Sequence, residues 1–323
     1  MKNIEQKHIS VLYEELIENI KISNSEKNVI VDSTLWMWGH AEWIIKKLNL
    51  WDIFIGFDAD NRNLVLARQR LEKLDNIKIV DNYSQIVDNK KNIIFINSNF
   101  WNLKEELENR WILEISSIYY DLGISSVHID EADRWFSFRL EWKLDMRFDA
   151  SKWITAKQVV NSYKKEDLYR IFRNYWEEPA SKKISEAIYR ERKKKKIETT
   201  KDLSEIIEKN SKNIKTKARI FQALRIEVNK ELENLEKSLT DAIKLLKKDW
   251  IIFVISFHSL EDRITKQILK KETRDCICKD LICSCKHKKT LKILTKKPIV
   301  PTDNEIQYNS RARSAKARIW QKL

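Results

Sequence analysis

Apolar and polar positions follow two rhythms along this chain. Unbroken apolar runs with polar borders, NVIVD (Asn28 to Asp32), DIFIGFD (Asp52 to Asp58), NIIFIN (Asn92 to Asn97) and SIYYD (Ser117 to Asp121), predict buried strands. An amphipathic stretch from Val11 to Ile20 precedes them, and helical spacing recurs from about Ala41 to Leu48 and from Asn63 to Leu74. Strand, helix and strand in close succession predict an α/β fold with a parallel, doubly wound sheet.

From about Asp133 to Lys215 the pattern offers no convincing strand. Helical stretches fill it instead: KEDLYRIFRNY (Lys165 to Tyr175), SKKISEAIYRER (Ser181 to Arg192) and TKDLSEIIEK (Thr200 to Lys209), the last with Thr199 or Thr200 as its N-cap. This predicts an inserted all-α domain over residues 133–215, within an α/β domain made of 1–132 and 216–323. Beyond it, Phe221, Leu224, Val228, Leu232, Leu235, Leu239, Ile243 and Leu246 fall at three- and four-residue steps, the stripe of a single helix packed on a sheet. The sheet resumes with IIFVISF (Ile251 to Phe257).

Composition narrows the class. No apolar run approaches the roughly 20 residues that cross a bilayer, and MKNIEQKHIS has no signal-peptide core, so a cytoplasmic protein without a membrane partner is expected. Lys plus Arg exceed Asp plus Glu by 62 to 48, a net charge of +14 that suits a polyanion such as nucleic acid. A solvated surface is the bland reading of a Lys run such as Lys193 to Lys196.

Glycine is the anomaly. The chain has 3 in 323 residues, against roughly 23 at average usage. It has 12 tryptophans, and they stand where glycines belong. Trp51 and Trp250 each lie between an amphipathic helix and a strand, where the chain often turns through a left-handed residue. Trp36 and Trp38 lie in the turn after the first strand, and Trp135, Trp142 and Trp176 in charged loop contexts. The economical reading is that most are UGA-encoded glycines written as Trp, since some bacterial lineages read UGA as glycine.

With glycine restored, VDSTLWMWGH (Val31 to His40) becomes a glycine-rich turn between strand and helix, with Asp58 at the end of the next strand. Dinucleotide and S-adenosylmethionine folds share that arrangement. Longer words are more specific: HISVLYEEL (His8 to Leu16), DLGISS (Asp121 to Ser126), RWFSF (Arg134 to Phe138), LDMRFDA (Leu144 to Ala150), FQALRIEVN (Phe221 to Asn229), ISFHSLEDR (Ile255 to Arg263) and NSRARSAKARI (Asn309 to Ile319). Together they closely resemble the ribosomal RNA small subunit methyltransferase H family, from about His8 to the C-terminus. The family has glycine at positions matching Trp36, Trp38, Trp135, Trp176 and Trp250.

The resemblance implies a Rossmann-like S-adenosylmethionine methyltransferase that acts on the exocyclic N4 amine of a cytidine in the decoding region of small-subunit (16S) rRNA. Its partner is then the rRNA or the 30S subunit, with a homodimer as a further expectation. Carried over by position, Trp38, Gly39 and His40 form the cofactor loop, Asp58 meets the ribose, Phe100 lies beside the adenine, and Asp121 sits near the methionine end. Asp121 is also the candidate catalytic residue. His128 stands where the family usually has Gln. A departure from the family near Asn82 to Lys91 reads as a surface loop.

Other residues remain open at this level. Phe136, Phe138 and Phe257 could stack on a flipped base or pack in the core. His258, Glu261, Asp262 and Arg263 could bind phosphate or brace their loop. Arg190, Arg192 and Lys193 to Lys196, with Arg311, Arg313, Lys316 and Arg318, form a candidate RNA surface. Cys276, Cys278, Cys283 and Cys285, followed by His287, read either as a structural zinc site or as thiols. A rival from another class, a catalytically dead RNA-binding scaffold, follows if Trp36 and Trp38 are literal, because two indoles would crowd the cleft.

Overall fold

The computed structural model describes residues 10–36, 38–123, 142–148, 154–176, 178–278 and 284–323. The chain divides into two compact units, residues 1–123 with 233–323, and residues 124–232.

The first unit begins with α1 (Tyr13–Asn19), β1 (Val29–Asp32), α2 (Gly39–Lys47), β2 (Ile53–Asp58), α3 (Asn61–Leu71), β3 (Ile77–Ile79), β4 (Lys91–Asn97), α4 (Leu103–Glu108) and β5 (Ser117–Asp121). The second unit carries α5 (Ala156–Ser162), α6 (Lys165–Trp176), α7 (Ser181–Glu191), α8 (Thr200–Asn210) and α9 (Ile214–Asn229). Then α10 (Glu231–Leu245) leads back to β6 (Ile251–Ser256), α11 (Ser259–Lys271), β7 (Leu291–Ile293), α12 (Asp303–Tyr308) and β8 (Lys316–Lys322).

Eight strands form one sheet in the order β3-β4-β2-β1-β5-β6-β8-β7. β1 pairs in parallel with β2 and with β5, whereas β8 runs antiparallel to both β6 and β7. The apolar runs are continuous because both faces are covered. Val29, Val31, Ile53, Ile55, Ile118 and Tyr120 pack on one side with Leu103, Leu107, Leu235 and Leu239. Their alternates Ile30, Phe54, Tyr119 and Phe253 pack on the other with Leu16, Ile44, Ile45 and Leu64. This is the doubly wound α/β architecture.

The second unit buries its own core, with Val159, Leu168, Phe172, Ile184, Ile188, Leu203, Phe221 and Leu224 at its centre. Thr199 caps α8 through a capping box with Asp202. The apolar stripe from Phe221 to Leu246 is not one helix. The chain turns left-handed at Lys230, with φ at 54°, and α9 ends there. Phe221, Leu224 and Val228 join the core of the second unit, while Leu235, Leu239 and Ile243 lie on the sheet. Asn229 marks the break, donating to the Met146 carbonyl and accepting from the Phe148 N–H, each at 2.8 Å. This is why the second unit extends to residue 232 rather than 215. The Asn82 to Lys91 stretch holds a short 3₁₀ turn over Tyr83–Gln85.

Candidate active site

β1 and β5 are neighbours whose following connections depart on opposite sides, and ligands of such sheets bind beyond strand ends at that crevice. A polar strap closes over it. The N–H and hydroxyl of Ser33 both donate to the Tyr119 carbonyl, at 3.1 and 2.8 Å. The Leu35 N–H donates to the Phe57 carbonyl at 2.8 Å. The Asp121 N–H donates to the Thr34 hydroxyl at 2.8 Å. The Trp36 N–H donates to Asp58 Oδ2 at 3.1 Å. Residues 33–36 thus tie the ends of β1, β2 and β5 together. Leu35 also needs Gly56 beneath it, where a Cβ would come within 2.7 Å of a Leu35 methyl.

Two residues of this turn have a backbone that suits glycine. Trp36 has φ at 36° and Trp38 at 54°, and Trp111, after α4, has 62°. L-residues enter that region at a cost of roughly 1–2 kcal/mol, and a bulky one is an outlier there. At the turn before β6 the left-handed residue is Asp249, with φ at 68°, and Trp250 itself is buried in the sheet's core.

Three carboxylates gather at the strand ends. Asp32 is buried, accepts from the Tyr119 hydroxyl at 2.6 Å and from the Thr34 N–H at 2.9 Å, and burial pushes its pKa up to about 7. Asp58 accepts from the Asp60 N–H at 2.7 Å and from Asn63 at 3.0 Å, and burial raises it to about 6. Asp121 is held well above the usual carboxylate range by burial, then by the fields of Asp32 and Glu261. Its Oδ2 faces His40 Nδ1 at 3.5 Å. Its Oδ1 is shielded and has no hydrogen-bond partner among the described residues. His40 is buried, sets Nε2 3.0 Å from the Val11 carbonyl, and lies between the rings of Tyr13 and Tyr119.

The structure brings Trp38, Gly39, His40, Asp58 and Asp121 to this edge of the sheet. Phe100 follows β4, half-buried, with its ring edge-on to Tyr120 at 6.0 Å. His128, Phe136, Phe138, Trp135 and Cys283 lie outside the described residues. Phe257 packs beside Gly123, whose added Cβ would sit 3.1 Å from its ring. Sequence reasoning missed Asp32, Thr34 and Tyr119. The triplet Asp32-Ser33-Thr34 at the end of a buried strand was the available signal.

Other expectations change at this level. Glu261 braces the start of α11 by accepting from the Phe257 and His258 N–H groups at 2.9 and 3.2 Å. Arg318 is buried and grips Asp262 with two donors, so it does not belong to an RNA surface. Lys194 and Lys195 pair with Glu191 and Asp202. A stronger basic face was overlooked: Arg263, Lys266, Gln267, Lys270, Lys271 and Arg274 of α11 and its end line a cavity of about 380 Å³. None of the ion pairs seen among the described residues of this part of the chain involves Lys266, Lys270, Lys271 or Arg274.

Relatives of this chain are similar over its whole length. A ribosomal RNA small subunit methyltransferase H from Clostridium botulinum (strain Loch Maree / Type A3) is 41% identical over 327 residues, 99% of this chain and 100% of that one. The protein of the same name from Finegoldia magna is 42% identical over 330 residues, again 99% and 100%. The MraW methylase family matches residues 5–323. The chain belongs to the MraW methylase family. Among solved structures, an rRNA methylase from Streptococcus thermophilus aligns over 96% of this chain and 93% of its own, at 8% identity and TM-score 0.41. As a MraW methylase, the chain is an S-adenosylmethionine-dependent methyltransferase. No helix among the described residues is long and apolar enough to cross a membrane.

The residues present fit that cofactor. Asp121 Oδ1 is an orphaned, shielded acceptor at the strand edge, suited to a cationic group. Asp58 ends β2, on the other side of β1, where a ribose is met in such folds.

Proposed function

We propose that this chain methylates the exocyclic N4 amine of a cytidine in the decoding region of small-subunit rRNA. The observation that carries the reading is full-length identity of 41% and 42% to proteins named ribosomal RNA small subunit methyltransferase H. The strand-end carboxylates supply a chemistry that suits it. The reaction takes place on rRNA or the 30S subunit, in the cytoplasm.

S-adenosylmethionine, when bound, supplies an electrophilic methyl on a cationic sulfur. The strap, Gly39 and His40 would hold it, with Asp58 on the ribose and Phe100 beside the adenine. An exocyclic cytosine amine is a poor nucleophile because its lone pair is delocalised into the ring. Asp121, in its carboxylate form, accepts an amine N–H and keeps the lone pair on nitrogen. A cationic neighbour favours that form and counters the burial that otherwise raises its pKa. Asp121 then takes the proton that the methylated amine must lose, with His40 Nδ1 at 3.5 Å to share it. The second unit and the basic face of α11 supply surfaces for RNA backbone.

The left-handed backbone at Trp36 and Trp38 favours glycine at both positions and so supports the enzyme over the dead scaffold. The test is methyl transfer from labelled S-adenosylmethionine to 30S subunits that lack native modification. Digestion and mass spectrometry should place the label on a cytidine N4. Label on a ring carbon or another base would overturn the substrate reading. Asp121→Asn should lower kcat by 10²-fold or more with a small change in KM.

A further inference from the structure

Every cysteine of the sequence falls between Cys276 and Cys285, in the excursion between α11 and β7. Its neck is closed. The Glu272 carbonyl accepts from the Thr290 and Leu291 N–H groups at 2.8 and 3.1 Å, and Glu272 Oε2 accepts from the Thr290 hydroxyl at 2.9 Å. Between these clamps, the described part of residues 273–289 has no helix, no strand and no buried side chain. Long loops without elements are uncommon in compact domains, and one without an apolar core cannot repay its ordering entropy.

Its sulfurs nonetheless converge. The Sγ atoms of Cys276, Cys278 and Cys285 all lie within 4.8 Å of one another. Cys276 and Cys285 are 3.8 Å apart, and Cys276 and Cys278 are 2.9 Å apart. With Zn–S bonds of about 2.3 Å, the edge of a thiolate tetrahedron is about 3.8 Å, so the first distance already matches and the second must open slightly. The Ile277 N–H points at Cys285 Sγ from 3.4 Å, a donor that favours the thiolate. Lys286 turns left-handed, with φ at 51°, directly after its neighbour's sulfur. Arg274, Lys286, Lys288 and Lys289 flank the cysteines in the sequence, and positive charge near a thiol favours its thiolate.

We propose that Cys276, Cys278 and Cys285 bind a structural zinc ion that orders this loop. Within the described part of the loop, His287 is the further donor that the sequence offers for the fourth position. The ion fastens the excursion between α11 and β7. It takes no part in methyl transfer.

The test starts with the full chain purified from zinc-supplemented cells. Elemental analysis should find about one zinc per chain, released by a mercurial thiol reagent with little change in far-ultraviolet circular dichroism. Cobalt exchange should give the intense visible bands of a tetrahedral thiolate site. A Cys276→Ser/Cys278→Ser double variant and Cys285→Ser should each lose the metal. Should those variants fail to fold, the mercurial release and cobalt spectrum of the unaltered chain decide alone. Less than about a tenth of an equivalent of zinc, a cobalt spectrum without sulfur-to-metal charge transfer, or an iron-type visible spectrum would each overturn the assignment.

Discussion

Asp32 illustrates how a strand end in this protein carries charge. Both of its oxygens accept hydrogen bonds, yet burial outweighs them and its pKa rises to about 7. The folded protein therefore holds a proton that the unfolded chain gives up near 4, and stability contributed by that proton is lost as pH rises through about 7. A shift of that size is worth on the order of 4 kcal/mol. The difference in unfolding free energy between the wild type and Asp32→Asn should therefore fall from pH 5 to about pH 7 and level off by pH 8, in the variant's favour, in urea titrations. Parallel curves would show that Asp32 is ionised in the fold at all these values. Asp58, raised to about 6, should give a smaller total change of the same sign, complete by about pH 6.

The strap shows what one element owes to individual backbone angles. Its hydrogen bonds join three strand ends, and its sharp turns are made at Trp36 and Trp38, where φ is positive. Replacing the exposed Trp111 by Gly relieves left-handed strain but frees the unfolded chain, for a net gain of about 1 kcal/mol or less, whereas at Trp38 the same change also gives up packing on the core and on Arg70. Trp320 is the contrast, fully enclosed in β8, and Trp320→Gly should cost roughly 3–5 kcal/mol. Thermal melts should show the two signs. The Trp36→Gly/Trp38→Gly form should also bind S-adenosylmethionine more tightly by calorimetry. In the source organism, UGG codons at these positions, or a native peptide over residues 33–40 with the mass of two tryptophans, would rule out recoding. Much of this was legible beforehand, because apolar runs with polar borders specify strands that are buried on both faces. The break at Lys230 was not, since the stripe from Phe221 to Leu246 keeps helical spacing across a left-handed Lys that no sequence pattern marks. Nor was the role of Asp32, whose burial depends on Tyr119 arriving from a strand 87 residues away.

Across the whole molecule, a net charge of +14 becomes informative only once the paired cations are set aside. Arg318 is buried on Asp262, and Lys194 and Lys195 face carboxylates. The face of α11 differs, because Lys266, Lys270 and Arg274 recur at helical spacing beside Lys271 and line one concave surface. Unpaired cations so arranged attract phosphates and release counterions when they bind them. Changing all four to Gln should weaken binding to a small-subunit rRNA fragment and flatten the slope of log K against log salt by about 3. Affinity for S-adenosylmethionine should stay the same, because none of the four lies on the strap or at the strand ends. An unchanged salt slope would move the RNA track elsewhere, to the exposed Arg311, Arg313 and Lys316 or to the second unit, and the same measurement on Arg311→Gln/Arg313→Gln would then tell which.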